Sequence, residues 1–391
     1  MLEIKCTGSP YEIGRTHGAT AKEKIAGSLR FYGRLFEKSC ALQWSPVVQE
    51  AAKYVEHLEI IAPRYLEEIR GIADGSGTGL LDILALNIRT EIMFGLFSGS
   101  CNDSADVGVD IKRGLQDLAS VPSDGCTSLG WLTETGSFLC QNWDWDVDQG
   151  ENLIICHIMQ AQVDNDNSRG NSGGRGNKSK GGDIPAFSMV TEAGIIGKIG
   201  FNAAGVGCCL NAIKCRGVDV TKQPMHFALR KVLESPSRAA AIEAIKTGGV
   251  AGSGYILIGD ATGSTGLECT SKWVREIHMD ELNRVCHTNH LVVDKYDVDE
   301  PPWLEDSPAR LARLHELTAK MAHDGNPTLE GIFSDIFGDT QGYPGSINRR
   351  QEQGKSEAET LFTILMDLTR RSAHVTFGRP TEVREQVAIS F

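Results

Sequence analysis

The hydrophobic period of this 391-residue chain changes at Cys126, and that change limits the folds open to it. Before it, Ile25, Leu29, Tyr32 and Phe36 recur at spacings of four, three and four, which lays one apolar stripe along a helix. Further helical stretches run through Val55 and Leu58, through Leu66, Ile69 and Ile72 after Pro63, and over residues 80–94. From Thr127 the chain instead alternates polar and apolar residues as far as Glu134-Thr135-Gly136, and a second such run ends in Asp144 and Asp146. That pattern predicts a β-hairpin. Strand-like segments follow at 152–163 and 194–213, and "GVAGSGYILIGD" (249–260) reads as a turn into a strand. Helices return at about 225–245 and from Ser307, where Ser-Pro would supply an N-cap and an N1 proline, and late strands fall at 359–368 and 373–378. Segment 98–123 has no period and reads as a surface loop. Segment 164–183, "DNDNSRGNSGGRGNKSKGGD", cannot bury apolar area and reads as a disordered loop tip. There is no internal repeat. Helices, strands, helices, strands in that order predict an α+β fold with sheets covered by helices.

Composition narrows the function classes. A net charge of -12 argues against nucleic-acid and anionic-membrane surfaces, which need basic patches. No apolar run approaches the ~18–20 residues of a membrane span. The start, "MLEIKCTGSPYEIGRTHG", has no basic region followed by an apolar one, so no secretory signal is expected. The 11 cysteines are odd in number and scattered without CxxC or zinc spacing, which fits a reduced, cytoplasmic compartment with most of them buried as small apolar residues. No metal or cofactor is expected. On one strand His287 and His290 would face opposite ways, and the acids Asp297, Asp299, Glu300, Glu305 and Asp306 read as a solvated loop.

The hairpin carries the chemistry. With Thr135 at the centre of its turn, Cys126 falls opposite Asp144, a thiol beside a carboxylate. Such a cysteine suits N-terminal nucleophile chemistry. Its sulfur attacks the carbonyl of Gly125, the peptide bond shifts from nitrogen to sulfur, and water hydrolyses the thioester. Glycine at 125 leaves that carbonyl unshielded. Cleavage liberates the α-amino group of Cys126, whose pKa of about 7.7–8 suits a general base near neutrality. The same residues also read as a buried strand cysteine and a turn-capping aspartate.

"DGCTS…QNWDWD" resembles the autoprocessing segment of the acyl-coenzyme A:isopenicillin N acyltransferase family, within the Ntn-hydrolase superfamily. "SPYEIGRTHG", "LEEIRGIADG", "LNIRTE", "TEAGIIGKIGFNAAGV", "HTNHL", "YPGSINR", "GKS" and "TFGRPT" agree in the same order, so the resemblance runs over nearly the whole chain. It implies a four-layer αββα fold. It also implies self-cleavage before Cys126, with 1–125 as a mostly helical piece and 126–391 as a β-rich nucleophile piece that stay together as a heterodimer within one domain. By the same matching Asp144 takes the place of the family's active-site aspartate and Asn289 that of its oxyanion-hole asparagine. Ser128, two residues from Cys126 on the same face, is a further catalytic candidate.

The activity so implied is transfer of an acyl group from acyl-CoA, as co-substrate, through a Cys126 thioester to an amine in a secondary-metabolite pathway. Water as acceptor would make the chain an amidase or peptide hydrolase instead, and a processed but idle scaffold is the third reading. The penicillin-forming members place an arginine after "GKS" to hold the β-lactam carboxylate, where this chain has Glu357, and two phenylalanines where it has Trp145 and Asp146. Arg349 keeps one basic group nearby. These substrate-binding candidates predict an acceptor amine without a free carboxylate, and not a penicillin. The C-terminus, "VREQVAISF", lacks the peroxisomal signal those members carry.

Overall fold

A computed structural model describes residues 1–95, 125–161, 184–325 and 327–391. Strands β1 (Leu2–Gly8), β2 (Cys126–Leu132), β3 (Ser137–Asp146), β4 (Leu153–Gln160), β5 (Phe187–Glu192), β6 (Ile199–Asn202), β7 (Gly207–Asn211), β8 (Gly254–Asp260), β9 (Gly263–Cys269), β10 (Val274–Ile277), β11 (Arg284–His287), β12 (Ala358–Asp367), β13 (Ser372–Arg379) and β14 (Glu382–Ser390) form two sheets. Their orders are β1-β4-β5-β6-β7-β8-β9-β10 and β11-β2-β3-β12-β13-β14. The inner faces meet in a core that includes Leu139, Trp143, Cys209, Leu257, Phe362 and Ile364.

The helices that precede Cys126 are α1 (Pro10–Thr20), α2 (Lys22–Cys40), α3 (Trp44–Ala52), α4 (Val55–Ile61), α5 (Pro63–Ser76), α6 (Leu80–Asn87) and α7 (Arg89–Gly95). Later come α8 (Met225–Leu233), α9 (Arg238–Gly248) and α10 (Ser307–Asp324). Helices α1, α8 and α9 lie on the outer face of the larger sheet. On the smaller sheet, Leu129, Trp131, Cys140 and Leu365 pack against Leu314 of α10 and against Ile336 and Phe337 of a π-helical segment, Ile332–Phe337. Four layers result, the arrangement expected of an α+β chain whose sheets each bury both faces. Helices α1 and α5 touch backbone to backbone: a Cβ on Gly14 would stand 1.9 Å from Glu68 O, and one on Gly71 would stand 2.2 Å from Tyr11 O. Among the described residues no helix is long and apolar enough to cross a membrane.

Several local expectations change. β1 adds a strand that was not expected; it pairs parallel to β4, from Leu2 with Ile154 to Gly8 with Gln160, and so needs a partner far along the chain. The helical run at 80–94 breaks at Ile88 into α6 and α7. The N-cap of α10 is Asp306, not Ser307, and its side chain makes no cap bond because it serves two arginines instead. The segment expected as a loop at 98–123, and that expected as disordered at 164–183, lie outside the described residues.

Candidate active site

The hairpin forms, with its register one residue from expectation. Thr133 closes the turn: its hydroxyl accepts from the N–H groups of Thr135 and Gly136, both at 3.2 Å, and its own N–H donates to Gly136 O at 2.9 Å. The turn is therefore centred between Glu134 and Thr135, Leu132 pairs with Ser137, and Cys126 lies opposite Trp143. Gly125, not Cys126, stands across from Asp144, whose N–H donates to Gly125 O at 2.8 Å. A one-residue slip moves a side chain to the other face of the sheet. Cys126 accordingly points into the core between the sheets with Trp143 and Trp145, while Asp144 points toward the α10 layer.

On that outer face four charges alternate. Asp144 is fully buried; its Oδ1 accepts from the Thr360 hydroxyl at 2.7 Å and its Oδ2 lies 3.5 Å from Arg349 Nε. Arg349 Nη2 donates to both oxygens of Asp306 at 2.7 Å, and Asp306 also accepts from Arg310 Nε at 2.9 Å. Burial pushes the Asp144 carboxyl up to about 6, against the pull of Arg349 and Arg310. The place of Gly125 follows from this network. A Cβ there would stand 2.6 Å from Arg349 Nε and 2.9 Å from Asp144 Oδ2, so any side chain would have to displace those groups.

Arg310 continues the chain of contacts to the cysteine. Its Nη1 donates to Cys126 O at 2.7 Å and to the Thr127 hydroxyl at 3.1 Å, and its Nη2 donates to Asn289 Oδ1 at 2.9 Å. Asn289 Oδ1 also accepts from the Cys126 N–H at 2.8 Å, and Asn289 Nδ2 donates to Ala212 O at 3.0 Å. Because guanidinium only donates and a carbonyl only accepts, the orientation of this amide is settled chemically. Asn289 thus offers Cys126 an acceptor, whereas an oxyanion hole needs a donor. A side-chain donor on this end of the sandwich is Asn211 Nδ2, 3.3 Å from Cys126 O and 3.3 Å from His287 O.

The remaining candidates scatter. Ser128 is buried on the face of Cys126, and its hydroxyl has no hydrogen-bond partner among the described residues. Trp145 lies against Trp143 and Phe31, with ring centroids 6.3 Å away in each case. Asp146 is half-buried at the end of β3, accepts from the Asp148 N–H at 3.0 Å, and has its carboxyl raised by burial. It lines a cleft of about 440 Å³ with Phe31, Arg34, Leu35, Glu37, Lys38 and Asp148. Glu357 is exposed and bound to Lys38 of α2 at 2.7 Å, so its charge is already matched. Arg349 lies deep beside Asp144, away from solvent.

Periodicity and motif spacing do not point to Asn211, Asp306, Arg310 or Thr360. Asp306 belongs to the acidic run that reads as a solvated loop, yet here it is held between two arginines. Asn211 ends a strand at the same edge of the sandwich as Cys126, which is the one signal that could have found it. His287 and His290 are held by Glu268 (2.9 Å) and by the Ser307 hydroxyl (2.7 Å), as structural histidines.

Further along the core, Glu192 is fully buried between Arg89 of α7 (3.0 Å) and Lys198 (2.6 Å), and it also accepts from the Tyr32 hydroxyl of α2. Burial opposes its ionisation, yet these cations hold the carboxyl down at about 2. Glu68 of α5 pairs likewise with Arg230 of α8 at 2.6 Å. These buried pairs fasten the first helices to the part of the chain beyond Cys126.

Residues 131–382 match the family model described as acyl-coenzyme A:6-aminopenicillanic acid acyl-transferase; the matched span begins beyond Cys126. The chain is 33% identical, over 100% of its own length and 96% of the relative's, to acyl-coenzyme A:6-aminopenicillanic-acid-acyltransferase 40 kDa form of Emericella nidulans. Among solved structures it is similar to a single-residue variant of conjugated bile acid hydrolase from Clostridium perfringens, with TM-score 0.45 and 16% identity, covering 68% of this chain and 92% of that one. It is also similar to penicillin V acylase from Agrobacterium tumefaciens, with TM-score 0.40 and 14% identity, covering 68% and 86%.

Proposed function

Since the chain belongs to the acyl-coenzyme A:6-aminopenicillanic acid acyl-transferase family, we propose that it is a self-cleaving cysteine acyltransferase that moves an acyl group from acyl-CoA to an amine. The observation that carries this reading is how one peptide bond is held. Gly125 O accepts from the Asp144 N–H, and the N–H of Cys126 donates to Asn289 Oδ1, both at 2.8 Å. When the Cys126 sulfur attacks the Gly125 carbonyl carbon, charge gathers on that oxygen, and the Asp144 N–H already faces it. As the C–N bond breaks, the nitrogen takes up the thiol proton to become an amine, and Asn289 Oδ1 remains its acceptor. Water then hydrolyses the thioester, leaving a carboxylate at Gly125 beside Arg349.

In the cut protein the liberated α-amine accepts the thiol proton near neutrality. The sulfur takes the acyl group, coenzyme A leaves as the thiol, and an incoming amine displaces the sulfur to give the amide. Asn289 and Arg310 position the amine; Asp144 acts on them through Arg349 and Asp306. Incubating the protein with an acyl-CoA, with and without an added amine, and weighing protein and products by mass spectrometry tests this. A Cys126 thioester that converts to acyl-amide when amine is supplied supports transfer. Release of the acid alone, unchanged by amine, would make the chain a hydrolase, and no adduct with no turnover would refute the reading.

A further inference from the structure

We infer that the cleft beneath α2 receives the acyl group of the donor, with Phe31 and Leu35 setting its length; this rests on the Cys126 acyl-transfer reading above. The argument begins with the face on which the sulfur lies. Cys126 shares it with Trp143 directly opposite and with Trp145 two residues further along β3. The two indole rings are 6.3 Å apart, and Trp145 meets Phe31 edge-on at 6.3 Å. Phe31 and Leu35, one helical turn apart on α2, then line the 440 Å³ cleft. A row of buried aromatic side chains, with the Lys198 ammonium 4.4 Å from the Trp143 ring, therefore links the cysteine to a cleft of the size that small-molecule groups occupy.

The opposite face offers no such path. It holds the Asp144, Arg349, Asp306 and Arg310 ion network, and a chain laid across it would strip water and partners from buried charges. Two ion pairs lie at the cleft, Arg34 with Asp148 at 3.2 Å and Lys38 with Glu357 at 2.7 Å. Both cations are thus matched, and the neighbouring acids Glu37 and Asp146 disfavour an anionic tail. The geometry points to an uncharged, apolar acyl group of limited length. On acylation the bond from Cys126 sulfur to the acyl carbon forms, the donor's carbon–sulfur bond breaks, and the thiol proton passes by way of the α-amine to the departing coenzyme A.

The test uses the cut protein with acetyl-, butyryl-, octanoyl- and palmitoyl-CoA, reading the rate of Cys126 acylation by intact mass and the KM of one amine acceptor at a fixed donor. Leu35→Trp should shift preference toward the shorter donors, by about tenfold in the octanoyl-to-butyryl ratio. Leu35→Ala and Phe31→Ala should shift it the opposite way, so a misfolded Trp variant still leaves the sign measurable. Donor preference unchanged in the Ala variants would overturn the subsite, as would a change confined to the acceptor KM. Failure of the unsubstituted protein to form any Cys126 adduct would refute the acyl-transfer reading itself, and the subsite with it.

Discussion

Replacing Asp144 by asparagine should stabilise the fold while impairing the chemistry. The carboxyl has an ordinary value of 3.8 and is pushed up to about 6, chiefly by burial. Between those values the folded chain binds this proton more tightly than the unfolded one does. The stability that the protonated form lends is present at low pH and lost as pH rises through about 6. The gap corresponds to roughly 3 kcal/mol. Asparagine has nearly the same shape and cannot ionise, so it should escape that loss. The comparison is made in chains carrying Cys126→Ala, which keeps every sample uncut, by urea unfolding from about pH 4 to about pH 7. Asp144→Asn should match its parent near pH 4 and exceed it by up to about 3 kcal/mol near pH 7. In the chain that retains Cys126 it should slow both cleavage and transfer. A difference that does not vary with pH would refute the reasoning, and so would an asparagine variant weaker than its parent at neutrality. Either would mean that the attraction of Arg349 outweighs burial.

Two further outcomes are expected. The unsubstituted chain should resolve on a denaturing gel into a piece of about one third of the 42.4 kDa and a larger remainder that co-elute under native conditions, whereas Cys126→Ala stays a single band; an uncut wild type after long incubation would contradict this. Gly125→Ala should fold but add about 1.4 kcal/mol or more to the cleavage barrier, about tenfold in half-time, because its methyl would meet Arg349 Nε at 2.6 Å; an unchanged half-time by gel densitometry would contradict the steric argument.

What could be read from the chain alone was what short-range periodicity records. The stripe from Ile25 to Phe36 became α2, and Pro63 opened α5, because both depend on residues within a few turns. β1 carries the alternation Leu2, Ile4, Cys6, but seven residues mean little until β4 is known to lie beside them. The hairpin was legible and its register was not. A single hydroxyl, that of Thr133, centred the turn half a residue from Thr135 and turned Cys126 and Asp144 to opposite faces. The residues that complete the site come from distant segments: Asn289 precedes α10, Arg310 lies within it, and Thr360 belongs to β12. Glu357, which in sequence is a lone reversed charge, meets Lys38 across 319 positions, and no local pattern announces such a partner.

The parallel pairing of β1 with β4 makes the order of events at Gly125 matter. Parallel strands so far apart in sequence form late and slowly, because the loop between them must close first. While the chain is continuous that closure is intramolecular and independent of concentration. Were it cut between Gly125 and Cys126, as proposed, the same pairing would join two molecules, and recovery from unfolding would depend on dilution. β4 would meanwhile present an open sheet edge to any other chain. Cleavage would therefore act as a ratchet, locking in a fold that the mature protein regains only with difficulty, so that its persistence is governed by the rate of unfolding rather than by equilibrium.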